Sequence, residues 1–129
     1  MSDLLAGLRV LILEDEFLIA MDVEQLCRDH GAAEVLIARN LDEIEDHGTT
    51  GRFDAAIIDI MLDGGSTLAF AGQIQARSVP FIFASGYTDQ DEVFTSFPGV
   101  PVIGKPYAGK DLVEALAGVC GRIPMSSGG

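Results

Sequence analysis

Short apolar runs recur along the chain. The first, LRVLIL at 8–13, gives way to Glu14-Asp15-Glu16; others lie at 34–38, 55–60, 80–84 and 100–103. Runs this short, apolar at nearly every position, fit strands buried on both faces, as in a parallel sheet. Segments of helical length separate them. They fall at about 16–30, after Asn40 as an N-cap, over 66–77, over 88–97 (polar and short) and over 109–120. Strand–helix alternation at this spacing predicts a doubly wound α/β fold, with right-handed crossovers placing helices on both faces of a parallel sheet.

The first helix has a readable inner face. At about 100° per residue, Ile19, Val23, Leu26 and His30 share one stripe, expected against the sheet, with Ala20 and Cys27 at its edge. Phe17 and Met21 project to the other side beside Glu24 and Arg28, an apolar pair rimmed by charge that suits docking. Gly31 ends the helix as a C-cap glycine does. In the second helix Asp42, Glu43, Glu45 and Asp46 complement the helix dipole and keep that side solvated. Cys27 and Cys120 read as buried helix residues, His30 as a helix end and His47 as exposed loop. One domain over 1–122 is expected, followed by a disordered tail at 123–129 rich in Ser and Gly.

Composition narrows the function. The chain has 129 residues, 48% of them hydrophobic, which suffices for one well-buried core. Eight Lys+Arg against 20 Asp+Glu give a net charge of -12, which repels phosphate backbones and anionic lipid. Nucleic acid and membrane surfaces are therefore not expected partners. Two cysteines are too few for a disulfide framework, and no apolar stretch reaches the ~18 residues of a membrane span. The expected setting is cytoplasmic.

The chemistry sits where the strands end. The first stops at Glu14-Asp15, the third at Asp59, the fourth at Ser85 and the fifth at Lys105. In an open parallel α/β sheet ligands bind outside the carboxyl ends of the strands, so these groups converge on one rim. Clustered carboxylates repel one another and call for a cation. Hard oxygen donors without His or Cys suit Mg²⁺, and Lys105 adds a second positive charge. A cation, a lysine and a hydroxyl facing one carboxylate make an apparatus for phosphoryl transfer, with Asp59 as the nucleophile. No glycine-rich phosphate loop follows the first strand, which argues against a nucleotide ligand.

In this ordered set the chain resembles a response-regulator receiver domain, the phosphoacceptor half of two-component signalling. The match rests on Glu14-Asp15, on Asp59 within FDAAIIDIML, on Ser85 within PFIFASGY, and on Lys105-Pro106. The resemblance implies a flavodoxin-like (βα)5 fold with sheet order 2-1-3-4-5. It further implies that Asp59 accepts a phosphoryl group from a histidine kinase or histidine phosphotransfer protein. Asp15 would ligand Mg²⁺ directly, Glu14 mainly through a bound water and Met61 through its backbone carbonyl, with Asp59 in the same ligand set. Ser85 and Lys105 would hold the phosphoryl group, Lys105 being oriented by a cis bond to Pro106. Kinase docking is assigned to the face around Phe17, Met21 and Tyr107, and output to the fourth helix and fifth strand, toward an unknown downstream protein.

The chain departs from the family pattern at named positions. Asp63 stands where the family often has Pro, and Val102 where it usually has an aromatic switch residue. The FASGY stretch instead resembles a variant group of single-domain regulators with a Phe-Ala-Thr-Gly-like motif, which gives the switching role to Tyr87 or to the loose helix after it. Met61 and Tyr87 occupy positions that govern phosphoryl lifetime in the family and orient an attacking water poorly, so slow autodephosphorylation is expected. The expected role is that of a signalling domain, not an enzyme with an external product. The alternative is a degenerate receiver, never phosphorylated, that acts as a constitutive interaction module.

Overall fold

The computed structural model describes residues 3–46, 53–62, 65–85, 97–104 and 109–121. In chain order these form β1 (Arg9–Leu13), α1 (Phe17–Asp29), β2 (Glu34–Ala38), α2 (Leu41–Asp46), β3 (Ala55–Asp59), β4 (Met61–Leu62), β5 (Gly65–Ser66), α3 (Leu68–Ala76), β6 (Phe81–Ser85), β7 (Val102–Gly104) and α4 (Gly109–Val119). Five strands build one parallel sheet ordered β2-β1-β3-β6-β7. Counted among themselves they follow the expected order 2-1-3-4-5. β4 and β5 pair apart from it, antiparallel, Met61 opposite Ser66 and Leu62 opposite Gly65.

Strand alternation divides the core in two. Leu11, Leu13, Ala56, Ile58, Phe81 and Phe83 point to the face covered by α3, where they meet Phe70, Ala71 and Ile74. Val10, Ile12, Ala55, Ile57 and Ile82 point to the other face, against α1 and α4. Both faces are therefore apolar, and that is why the strands read as unbroken apolar runs. On the α3 side Phe97 closes an edge-on aromatic cluster, 5.9 Å from Phe81 and 5.3 Å from Phe83 between ring centroids.

The inner face of α1 is shifted from the sequence reading. Ala20, Val23 and Cys27 are its fully buried residues, while Ile19, Leu26 and His30 are only partly covered. The small side chains of Ala20 and Cys27 let the helix lie close on the sheet, and the bulkier Ile19 and Leu26 flank that line. Leu26 rests against the start of α4, where a Cβ on Gly109 would come within 3.2 Å of Leu26 Cδ1. At the other end of α1, Gly31 has φ +96 and touches Ala6 so closely that an added Cβ would lie 3.1 Å from the Ala6 Cα. Residues 3–8 wrap this end: Leu5 N–H donates to His30 O, Gly7 N–H donates to Gly31 O, and the Leu5 side chain is fully buried. The sequence reading gave this leading segment no role.

Other boundaries moved as well. Asn40 does cap α2, its Oδ1 accepting Glu43 N–H at 2.9 Å while Glu43 Oε1 accepts Arg39 N–H at 2.6 Å. α3 starts at Leu68 rather than at Ser66, because Gly65 and Ser66 are taken up by the hairpin. β7 covers Val102–Gly104, later than the expected 100–103. Cys120 lies just past α4 and is partly buried, not inside a helix. Cys27 is buried, and its desolvation pushes the thiol pKa up to about 12. At the amino ends of β1 and β3, Asp54 accepts from Arg9 N, Nε and Nη2 at 2.9–3.3 Å. That hydrogen bonding, and then the carboxylate's charge, raise the guanidinium pKa above its ordinary value. The fourth helix expected over 88–97 lies outside the described residues except for Phe97, as do His47 and the tail at 123–129.

Candidate phosphoacceptor site

The register of the sheet brings the strand ends to one rim. β1 pairs with β3 up to Leu13 opposite Ile58, so Glu14 and Asp59 each stand one step further on. Glu14 N–H donates to Ala38 O at 3.0 Å, extending the β1–β2 pairing to the acid itself. Asp59 is opposite Ala84, and Ser85 is opposite Gly104, the residue that precedes Lys105. Each of these polar positions stands at the carboxyl end of an apolar run, where the sheet reaches its rim.

Glu14, Asp15 and Asp59 converge. One carboxylate oxygen from each lies within 4.8 Å of the others. Glu14 is 3% exposed and Asp59 6%, while Asp15 is half-buried. Among the described residues no other group of three such side chains meets in this way. Glu14 Oε2 also accepts the Glu16 N–H at 3.1 Å, where Glu16 is the N-cap of α1 and makes no side-chain cap of its own. The acidic turn thus caps the helix through Glu14, which holds that carboxylate at the rim.

Carboxylates this close, two of them out of water, are mutually repulsive and favour a bound cation. The donor set is all hard oxygen, and ligands of a single Mg²⁺ at about 2.1 Å each stand up to about 4.2 Å apart. A set lying within 4.8 Å has the dimensions for such an ion, bound directly or through water. The residues present fit Mg²⁺.

The remaining candidates divide by position. Met61 opens β4 immediately beyond Ile60, so its backbone follows the acidic rim directly. Ser85 is the last residue of β6. Lys105, Pro106, Tyr107 and Tyr87 lie outside the described residues. On α1, Phe17 and Met21 are exposed as expected, and Leu18, which the helical pattern had not singled out, is 76% exposed beside them. The sequence reading also missed Thr67. Fully buried, its Oγ1 donates to Asp59 O at 2.6 Å and lies 3.0 Å from Ile60 O. A threonine ahead of an apolar run reads as a helix N-cap, and nothing in the sequence says that its hydroxyl turns back toward β3.

Comparison with known proteins gives consistent results. A family model, the response regulator receiver domain, matches residues 10–117. No curated protein matches the chain. Among solved structures, the response regulator PhyR from Brucella abortus superposes with a TM-score of 0.72 at 30% identity, over 92% of this chain and 50% of that one. The anti-anti-sigma factor PhyR from Bartonella quintana gives 0.69 at 30% identity, over 88% and 47%. The chain thus spans about half the length of either PhyR protein. A response regulator receiver protein from Sinorhizobium medicae WSM419 gives 0.75 at 18% identity, over 89% and 95%, and shares the fold.

Proposed function

The chain belongs to the response regulator receiver domain family, and from that premise we propose that it is a phosphoacceptor in a histidine-to-aspartate relay, phosphorylated on Asp59. The observation that carries this reading is the buried Asp59 carboxylate meeting Glu14 and Asp15 within 4.8 Å at the carboxyl edge of the sheet. In the transfer, an Asp59 carboxylate oxygen bonds to phosphorus as the donor's P–N bond breaks. The donor histidine nitrogen leaves with the electron pair and regains a proton, and an acyl phosphate remains on Asp59. Glu14, Asp15, Asp59 and the Met61 carbonyl are the groups assigned to hold Mg²⁺. When bound, the ion neutralises the crowded carboxylates and the charge of the phosphoryl oxygens. Ser85 and Lys105 are assigned to the phosphoryl group itself, and Pro106 to orienting Lys105.

The receiver unit is assigned to 1–122. Its donor is a histidine kinase or histidine phosphotransfer protein, and Phe17, Met21 and Tyr107 are the residues assigned to docking it. Phosphorylation adds about −1.5 to −2 charge to the rim and shifts which protein contacts the domain makes. The description of the Bartonella relative as an anti-anti-sigma factor makes a sigma-factor regulator the first downstream partner to test.

The test is label transfer from a phosphorylated histidine protein to the full chain and to Asp59→Asn. Label on the first and none on the second supports the reading. A panel of kinases that labels neither, together with partner binding unchanged by Asp59→Asn, favours the constitutive interaction module, to which Val102 and Asp63 lend support.

A further inference from the structure

The side chain of Thr67 does something unusual for its place in the chain. It stands immediately before α3, where a threonine hydroxyl ordinarily accepts a backbone N–H from the first helical turn. Here it makes no such cap. Its hydroxyl acts as a donor in the opposite direction, to the carbonyl of Asp59 at 2.6 Å, with the Ile60 carbonyl as second acceptor at 3.0 Å. The Thr67 N–H donates to the same Ile60 carbonyl at 3.1 Å, and the Thr67 carbonyl accepts Ala71 N–H at 3.0 Å in the first turn of α3. Ile60 N–H in turn donates to Ala84 O, continuing the β3–β6 pairing one step past Asp59.

One fully buried residue therefore closes the base of the 59–67 loop and joins it to both β3 and α3. Within that loop lies Met61, paired with Ser66. Fixing the Asp59 and Ile60 carbonyls fixes the peptide planes on either side of Ile60. Those planes set the direction of the Asp59 side chain and of the Met61 backbone.

We propose that Thr67 is a positioning residue for the Asp59 site, holding the carboxylate and the Met61 carbonyl in the arrangement that binds Mg²⁺. It touches neither the ion nor the phosphoryl group and acts through the backbone of Asp59 and Ile60. The proposal rests on the reading of Asp59 as phosphoacceptor. Thr67→Val keeps the shape of the side chain and removes the donor; Thr67→Ser keeps the donor. Groups that orient a metal's ligands typically change metal affinity by about tenfold or more when lost.

The experiment is calorimetric titration of the full chain with Mg²⁺, alongside the rate of Asp59 phosphorylation by a small acyl phosphate. Thermal unfolding of each variant is recorded without Mg²⁺. Ile74→Val, a buried change on α3 away from the rim, controls for stability loss alone. Thr67→Val is expected to weaken Mg²⁺ binding by about tenfold, Thr67→Ser to stay within about twofold of wild type, and Ile74→Val to bind normally. Wild-type affinity in Thr67→Val, or an equal loss in Ile74→Val at matched stability, overturns the proposal and leaves the Asp59 reading intact. A wild-type chain that neither binds Mg²⁺ nor is phosphorylated overturns both. Thr67→Ala, which also lacks the donor, is read in the same way if Thr67→Val does not fold.

Discussion

Ser78 and Cys27 show how single residues depart from what their neighbours alone would suggest. Ser78, just past α3, sits at φ 63 with its N–H donating to Gln75 O, while Val79 N–H donates to Ile74 O. This left-handed turn normally takes glycine, and a side chain there costs about 1 kcal/mol. Ser78→Gly should therefore stabilise the fold by roughly 0.5–1 kcal/mol, measured as an upward shift of the thermal midpoint; a downward shift would refute that account of the turn. Cys27 keeps its proton in the fold to a pKa of about 12, against 9.0 for an ordinary thiol. Well below pH 9 the thiol contributes no pH dependence. As pH rises from 9 toward 12 the unfolded chain gives up a proton that the folded chain retains. Stability then falls by up to about 1.4 kcal/mol per pH unit. Denaturant midpoints of wild type and Cys27→Ala across this range check it, since the variant should lose that part of the slope. At neutral pH a thiol reagent should modify Cys120 well before Cys27 in the native protein. The hydrogen bonding of Thr67 is not legible in the sequence, for a physical reason. Sequence order marks where a hydroxyl can cap a helix, but the direction in which it donates is set by the fold.

Among the elements, the strands were the most legible. Apolar runs that end in acids located β1 and β3, and with them Glu14, Asp15 and Asp59, because strands buried on both faces stay apolar until they reach the carboxyl rim of the sheet. The β4–β5 hairpin was not legible. Met61-Leu62 and Gly65-Ser66 are two residues each, too short to show alternation, and they lie inside what reads as a loop running into a helix. The inner stripe of α1 was misplaced toward its bulkier residues, since hydrophobicity weighs Ile19 and Leu26 above Ala20 while close packing on the sheet selects Ala20, Val23 and Cys27. The outer side of the same helix yields a prediction. Phe17, Leu18 and Met21 are all largely exposed, so Phe17→Ser and Leu18→Ser should leave the thermal midpoint within a few degrees of wild type. In label transfer from a phosphorylated histidine protein the double variant should be slowed about tenfold or more, as expected when apolar anchors leave an interface. Phosphorylation by a small acyl phosphate should be unaffected. A double variant with undiminished transfer would remove this face from the docking surface.

For the molecule as a whole, the parallel sheet sorts its residues by polarity along the strand direction. Its middle is apolar on both faces, packed by α3 on one side and by α1 and α4 on the other. Its amino edge carries the Arg9–Asp54 pair, and its carboxyl edge the three converging carboxylates. Among the described residues no helix is long and apolar enough to cross a membrane. We place phosphorylation at this carboxyl edge, with Asp59 as the acceptor. Intact mass of the full chain after incubation with Mg²⁺ and a small acyl phosphate tests it most directly, with Asp59→Asn and a metal-chelated sample in parallel. A gain of one phosphoryl group is expected in the wild type, lost in the variant and under chelation. A gain that persists in Asp59→Asn, or that is indifferent to Mg²⁺, would contradict it.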